Sequence, residues 1–353
     1  MWRCTRAPGT SRWSLLRGPT EVRRRIAVTI AGFGALAIAV CILAPLVGTT
    51  NISLARVFDR SIAFADNVDA QVFFVARLPR VLAAVLVGGA FAVAGVVFQA
   101  FLRNPLASPD TLGVSSGATL GAVIVITFHL DVAVRGVSAL PVASFAGSAG
   151  ALGVVYLMSL ARRRGTSSTV LLLGGVALSA FLGALNRLVQ VLGDYTDVFR
   201  SMRWMMGSLD VGSYTDIVVP LVPMIAALAA IATLPRVLDL VSLGEPAAES
   251  RGVDVKKAER VALVSASLLT GSAVSIGGPV PFVGIIVPHI VRLIVGADHR
   301  VVLPAALLFG GSFLVLCDLV ARTAFGPAGM PVGAVTALIG GPFFLWLLFR
   351  RFR

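Results

Sequence analysis

Charged side chains are scarce in this sequence, and their scarcity excludes a soluble globular protein. Charged residues make up 13% of the chain and hydrophobic residues 57%, whereas a soluble domain usually carries about 25% charged residues. The composition therefore predicts a polytopic membrane protein. The net charge of +13 does not indicate a nucleic-acid partner, because the basic residues lie between apolar runs instead of gathering on one face. We expect membrane lipid, and no nucleic acid, around this chain.

Cysteine and histidine are equally rare, which argues against a metal-binding protein. The three cysteines and three histidines lie far apart in the sequence: Cys4, Cys41, Cys317, His129, His289 and His299. This separation argues against a disulfide framework and leaves no group of residues at the spacing of metal ligands. The sequence therefore predicts neither a metal site nor a cofactor.

The chain also lacks a nucleotide-binding motif. No GxxxxGK[ST] phosphate loop occurs, and the only lysines are Lys256 and Lys257, so we do not expect the chain to bind ATP or to act as an enzyme. An ion-coupled secondary transporter is an alternative, but such carriers usually need ionisable groups near the bilayer midplane. Asp318 is the only carboxylate well inside an apolar run, and Arg322 could neutralise it. Transport driven by a separate ATP-hydrolysing subunit is therefore favoured.

Long apolar runs are abundant instead, and they predict ten membrane-spanning helices. A helix needs about 20 apolar residues to cross the hydrocarbon core. Runs of this kind lie at 26–47, 79–102, 111–128, 139–160, 169–190, 214–234, 259–277, 282–296, 302–322 and 332–349. The eighth run is short and is interrupted by Pro279, Pro281 and Pro288, a pattern that suits a broken or re-entrant helix supported by protein neighbours. We predict one transmembrane domain over 26–353 and a disordered basic cytoplasmic tail over 1–25.

The distribution of basic residues predicts the orientation of the chain. With a cytoplasmic N-terminus, 21 lysines and arginines lie on the inner side and 9 on the outer side, which satisfies the positive-inside rule. Both termini are then cytoplasmic. On the outer side we predict a long polar loop over 48–78 and a short amphipathic segment within 191–213.

Three glycines follow the second predicted span at intervals of four residues. The sequence SPD at 108–110 is typical of a helix start, with a capping serine and a proline in the first turn. Gly113, Gly117 and Gly121 would then line one face of the third span, where another backbone can approach closely. A face that lines a substrate path is the alternative.

The inner connection over 235–258 differs from the others because it is rich in both charge signs. Gly244, Glu245, Ala248 and Gly252 predict a short helix followed by a second one, with small residues on the surface. Such a projection suits a peg that a soluble partner grips. An ordinary solvated loop is the alternative.

Six motifs, in their order and spacing, carry a resemblance to a known family. They run from Arg77 to the end of the chain: RLPR before a glycine-rich span, RNPLASPDTLG, LGEPAAESRG, GPVPFVGIIVPHIVR, DHRVVLP, and DLVAR followed by MPVGAVTALIGGPFFLWLL. The sequence resembles the permease subunits of bacterial binding-protein-dependent ABC importers for iron–siderophore complexes, cobalamin and haem. The resemblance implies an all-α polytopic fold of the type II importer architecture, with about ten transmembrane helices, in the bacterial cytoplasmic membrane.

The resemblance also implies partners. The chain would form a homodimer or pair with a close paralogue, and the translocation path would lie at the dimer axis beside the fifth and tenth spans. Two ATP-binding cassette subunits would dock on the inner side, each gripping the peg formed by Gly244, Glu245, Ala248 and Gly252. A ferric siderophore is the first expected cargo, and cobalamin and haem are the alternatives.

Three arginines match the outer rim of the cobalamin importer. By this resemblance, Arg77, Arg80 and Arg322 would receive carboxylates of a periplasmic or lipoprotein substrate-binding protein, a role that suits the planar, permanently charged guanidinium. The residues alone leave alternatives open. Arg77 and Arg80 could be snorkelling side chains at a helix end, and Arg322 could pair with Asp318 four residues earlier.

Overall fold

Every regular element of the structure is helical. The computed structural model describes residues 19–130, 138–161, 168–324 and 329–352, and no β-strand occurs in these ranges. The first half of the chain forms α1 (Pro19–Leu43), α2 (Leu54–Val57), α3 (Val68–Gln71), α4 (Leu78–Phe101), α5 (Val114–Thr127), α6 (Ala139–Ala161) and α7 (Ser168–Val191). The second half forms α8 (Tyr195–Met205), α9 (Thr215–Ala232), α10 (Pro235–Ser242), α11 (Glu245–Glu249), α12 (Val255–Gly277), α13 (Val283–Val295), α14 (His299–Thr323) and α15 (Val332–Phe352).

Within the described ranges, the apolar helices follow the ten predicted runs in order. Seven are long and apolar enough to cross a membrane, and α5, α13 and α15 supply three shorter apolar helices. This arrangement confirms the prediction of an all-α polytopic membrane protein.

The centre of the bundle is formed by α4, α12 and α14. The spans that contain them are 83%, 78% and 67% buried in their most apolar stretch, whereas the span of α1 is 6% buried. Small residues allow this packing. Gly88 of α4 faces Gly310 of α14, and Gly95 of α4 faces Gly284 of α13, so closely that a Cβ at Gly88 or Gly95 would overlap a backbone carbonyl. The central helices therefore pack backbone to backbone.

Two helices, α1 and α7, lie at the periphery. Only 6% and 17% of their most apolar stretches are buried, and they expose large apolar side chains such as Val28, Ile42, Phe181 and Leu188. Since lipid tails are as apolar as leucine, a bilayer accepts such a surface without cost.

Two predicted boundaries near the N-terminus are wrong. The sequence predicts a disordered tail to residue 25, but α1 includes residues 19–25; residues 1–18 lie outside the described ranges. The sequence also predicts a polar loop over 48–78. The structure contains α2 there, and α3 continues through a π-helical segment at Val72–Arg77 into α4. The apolar VFFVA run extends the helix, and Arg77 does not end it because its charge is satisfied internally.

The predicted glycine face needs one correction. Gly113 does not lie on a helix; it follows a 3-10 turn at Pro109–Leu112 and adopts a φ of +80°, immediately before α5 begins. Glycine adopts this left-handed conformation without steric cost, and other residues do not. Gly117 and Gly121 lie on one face of α5 and meet the backbone of α6 at Gly147 and Ala143. The helix is therefore shorter at its start than the predicted run at 111–128.

The eighth apolar helix, α13, is short but continuous. Its 13 residues span about 20 Å, less than the thickness of a hydrocarbon core. The chain enters it through Gly278 and Phe282, both of which have a positive φ. Pro288 lies inside the helix without ending it.

Candidate functional sites at the two ends of the bundle

Charged residues gather at the end of the bundle where α4 begins and α14 ends. Arg77 and Arg80 lie at the start of α4, Asp318 and Arg322 in the last two turns of α14, and Asp210 in the connection between α8 and α9. We call this group of five residues the arginine end. It contains all three arginines that the sequence predicts as docking residues.

Arg77 is buried at the arginine end, with 5% of its surface exposed. Its guanidinium donates hydrogen bonds to the carbonyl oxygens of Pro45 at 2.9 Å, Leu46 at 3.2 Å and Thr50. These three carbonyls belong to the segment that follows α1. Arg77 therefore fixes this segment against α4, and its guanidinium does not face an outside partner in this structure.

Asp318 lies between two arginines. The carboxylate is 1% exposed; it accepts a hydrogen bond from Arg80 Nε at 2.8 Å and lies 3.6 Å from Arg322 Nε. Arg322 also donates to the carbonyl oxygen of Ala44. A buried carboxylate is costly unless paired, so the two guanidinium groups stabilise its charge against the loss of solvation.

A cavity opens beside these arginines. It has a volume of about 260 Å³, and its polar lining consists of Thr49, Arg80, Arg203, Ser208, Asp210 and Arg322. The Asp210 carboxylate lies in the wall of this cavity and accepts hydrogen bonds from Arg80, from Arg203 Nη2 at 3.3 Å and from Ser208 Oγ at 3.2 Å. The Asp210 side chain is 52% exposed. The cavity thus offers several guanidinium groups to a carboxylate, and an exposed carboxylate of the chain already occupies part of it.

The opposite end of the bundle carries the predicted peg. There α10 and α11 follow one another, and Gly244 joins them with a φ of +118° that favours glycine. Glu245, in the first turn of α11, forms an ion pair with Arg103 at 3.2 Å. Gly252 is exposed between α11 and α12. We call α10, α11 and the residues that contact them the coupling end.

Ala248 does not lie on the surface of the predicted peg. It is completely buried, because α11 packs this side of its single turn against the protein. Ala248 therefore anchors α11, and the surface that a partner can reach includes Glu245, Glu249 and Gly252, which are exposed or half-buried.

A second contact at the coupling end joins α10 to α14. Asp239 Oδ1 accepts a hydrogen bond from the backbone N–H of His299 at 3.0 Å and lies 2.6 Å from His299 Nδ1. Beside it, Asp298 accepts from the backbone and side chain of Arg300. Burial opposes ionisation of Asp298, but the hydrogen bonds and positive charge of Arg300 hold the pKa of this carboxyl below its usual value.

Sequence reasoning missed three of these residues, Arg203, Asp210 and Asp239. Arg203 and Asp210 lie in the segment 191–213, which is predicted only as amphipathic. His299 belongs to the DHRVVLP motif, but nothing in the motif points to Asp239, 60 residues earlier. The only feature of the sequence that could have pointed to Asp239 is its position as a charged residue on the polar side of a short amphipathic helix, α10.

The fifth and tenth spans, α7 and α15, present large apolar surfaces. Leu173 and Leu188 of α7 and Leu338 and Leu345 of α15 are each more than half exposed. Surfaces of this kind suit a neighbouring subunit, lipid or a path between subunits.

Similarity to known proteins shows the family to which this chain belongs. The FecCD transport family matches residues 36–350, a range that includes both ends of the bundle. The chain belongs to the FecCD transport family. Its homologues are permeases of ABC importers for siderophores, cobalamin and haem.

Two relatives and one solved structure resemble this FecCD permease over most of its length. The cobalamin import system permease protein BtuC of Halobacterium salinarum is 44% identical over 274 residues, which cover 77% of this chain and 72% of that protein. The ferric enterobactin transport system permease protein FepD of Escherichia coli is 34% identical over 342 residues, covering 96% of this chain and 99% of that protein. A solved structure, described as an inward-facing conformation of a transporter assigned to the metal-chelate type of ABC transporters, matches with a TM-score of 0.79 and 31% identity, covering 91% of this chain and 98% of that chain.

Proposed function

We propose that this FecCD permease is the membrane subunit through which an ATP-driven importer moves a ferric siderophore complex across the bacterial cytoplasmic membrane. The observation that carries the proposal is the family match over residues 36–350, which extends across both candidate sites. Likeness to the ferric enterobactin permease over 96% of the chain supports the cargo. The siderophore holds its iron, so the permease needs no metal ligands of its own.

The coupling end is the proposed seat of two ATP-binding cassette subunits, one on each permease copy. Hydrolysis belongs to those subunits, and α11 transmits their movement. The exposed charges of Glu245 and Glu249 support this assignment, because a soluble partner can reach them. Both chain termini belong to the same cytoplasmic side. In support, Arg25 in α1 donates to the Val295 carbonyl near the coupling end at 3.3 Å.

The arginine end is the proposed docking site of a periplasmic or lipoprotein substrate-binding protein. Arg80 and Arg322 line the cavity there, and a carboxylate from the partner would bind their guanidinium groups. Arg77 contributes indirectly, because it holds Thr50 next to the cavity residue Thr49. Docking of this kind is steered by charge and weakened by salt.

The proposed mechanism is alternating access between two permease copies, either identical or closely related. The loaded binding protein releases its cargo into a path between the copies, beside α7 and α15. Nucleotide binding and hydrolysis then favour one arrangement of the helices over the other. This requires a difference in nucleotide affinity between the two arrangements, since coupling is a free-energy difference between conformations.

Cobalamin is the second candidate cargo, because the relative with 44% identity is named for cobalamin import; haem is the third. Cells lacking only this chain should be supplied with labelled ferric siderophore, cobalamin or haem. We expect siderophore accumulation to fall while uptake of the other two is unchanged. If only cobalamin uptake or only haem uptake falls, that compound is the cargo in place of the siderophore. No change in the uptake of any of the three would contradict the proposed function.

A further inference from the structure

A hydrogen-bonded link joins α10 to the first residue of α14. One oxygen of Asp239 accepts from the His299 backbone N–H at 3.0 Å and lies 2.6 Å from Nδ1 of the same residue. His299 is 4% exposed, whereas the Asp239 side chain is 34% exposed, so the imidazole is shielded from water and the carboxylate reaches it from the surface. Because the two residues are 60 positions apart, the link connects two separate helices.

The chemistry of the link assigns the proton on the imidazole. His299 Nε2 is buried and has no hydrogen-bond partner among the described residues, so a proton there would be unsatisfied. A proton on Nδ1 is instead donated to the Asp239 carboxylate, in a charge-assisted bond that is stronger than a neutral one. The same carboxylate binds a backbone N–H at the start of α14, where the helix dipole favours negative charge. Asp239 therefore binds both the imidazole of His299 and the backbone at the start of α14.

The start of α14 has a second cap that stays within its own chain segment. Asp298 accepts from the Arg300 backbone N–H at 3.0 Å and from the Arg300 guanidinium at 2.8 Å. The two carboxylates stabilise the same helix end. They differ because Asp239 ties that end to α10, whereas Asp298 does not.

The helix that begins at this link ends at the arginine end. α14 has 25 residues and is therefore about 37 Å long. Its last turns carry Asp318 and Arg322. In its middle, Gly310 packs against the backbone of Gly88 in α4. Closely packed elements transmit a displacement because they have little room to absorb it.

We infer that Asp239 is a positioning residue that passes a displacement of α10 and α11 to α14, and through α14 to the charges around Asp318. α10 contacts α11, α4 and α14, so a force on α11 reaches the link directly. The inference rests on the proposed function, because it takes ATPase subunits as the source of the force. It adds a path, within one permease chain, from the coupling end to the arginine end.

The test uses the complete complex of permease, ATPase subunits and substrate-binding protein in lipid nanodiscs. ATP hydrolysis is measured with and without saturating binding protein, whose stimulation reports communication between the two ends. Stimulation is expressed as the ratio of stimulated to basal hydrolysis in each assembled complex, and Asp239→Ala should reduce this ratio at least about fivefold, the lower range of allosteric coupling. Asp239→Asn keeps an acceptor oxygen and should retain most of the stimulation. Asp298→Ala is the matched control, because it removes a cap from α14 without cutting the link.

Each result decides the inference. Normal stimulation in Asp239→Ala overturns it, and so does an equal loss in Asp239→Ala and Asp298→Ala, which would reduce Asp239 to a helix cap. If Asp239→Ala does not assemble, His299→Ala decides: it keeps the backbone bond, so partial loss of stimulation supports the link and full stimulation contradicts it. A wild-type complex that does not hydrolyse ATP overturns the proposed function, and with it the inference. A wild-type complex that hydrolyses ATP while Asp239→Ala behaves normally overturns the inference alone.

Discussion

The two ends of the bundle hold their charges in different environments. At the arginine end, the Asp318 side chain is 1% exposed and bound between two guanidinium groups. At the coupling end, the Arg103–Glu245 pair is 39% and 38% exposed. An exposed ion pair contributes little to stability, whereas removing one partner of a buried pair is strongly destabilising. Asp318 is thus part of the folded core, whereas the Arg103–Glu245 pair lies at the surface that a partner reaches.

The largest effect is expected from Asp318→Ala. This change removes the buried carboxylate between Arg80 and Arg322, leaving Arg80 with Asp210 and Arg322 without a carboxylate partner, and breaking a buried pair costs up to about 3–5 kcal/mol. Asp210→Ala, the matched control, removes a carboxylate from the same cluster that is half exposed and should cost less than about 1 kcal/mol. Thermal unfolding of the purified permease in one detergent compares the two. Equal losses would contradict the distinction between buried and exposed charges.

The close packing of α5 against α6 is tested by Gly121→Ala. A Cβ at Gly121 overlaps the Ala143 carbonyl of α6, so the helices must separate, at a cost of about 1–3 kcal/mol. Gly150→Ala, on α6, is the control because a Cβ there meets no atom within 4 Å. It should be neutral or stabilising by up to about 1 kcal/mol. The same unfolding measurement applies, and a destabilising Gly150→Ala with a neutral Gly121→Ala would refute the packing described here.

A substitution at the coupling end should change the affinity for the ATPase subunit more than the stability of the permease. Glu245→Lys puts a second positive charge beside Arg103 at an exposed site. This change should alter the free energy of unfolding by less than about 1 kcal/mol. Affinity for the ATPase subunit should fall about tenfold, equal to roughly 1.4 kcal/mol. Co-purification and titration of the two subunits measure this loss. Asp66→Lys, the same charge reversal at an exposed site between α2 and α3, is the control, and unchanged ATPase affinity in Glu245→Lys would remove Glu245 from the proposed interface.

The smallest effect is expected at Asp210. Since this exposed carboxylate already occupies the cavity, Asp210→Asn should raise affinity for the binding protein by about two- to fivefold, the worth of an exposed ion pair. Asp59→Asn removes the same charge from the connection between α2 and α3 and serves as the control. Binding is measured at low and at high salt. The gain should shrink at high salt, because salt screens an exposed ion pair. A gain that Asp59→Asn reproduces would assign the effect to net charge instead of to displacement.

The spans were predictable from the sequence because long uncharged runs have few structures available in a bilayer. Local conformation was harder to predict: a period of four residues places Gly113 on a helix face, yet the preceding 3-10 turn requires glycine for its backbone. The environment of Arg77 was not predictable, because an arginine at a span end looks the same whether it faces water or binds carbonyls at 45–50. Likewise, the contact between Asp239 and His299 depends on two helices meeting 60 residues apart.

In the proposed function, this permease moves cargo only when separate subunits hydrolyse ATP. The most direct test is uptake of labelled ferric siderophore into lipid vesicles that contain the permease alone, or the permease with its ATPase subunits and binding protein. We predict accumulation against a gradient only in the second set, and only with ATP. Accumulation by the permease alone, driven by a proton or sodium gradient, would contradict the account.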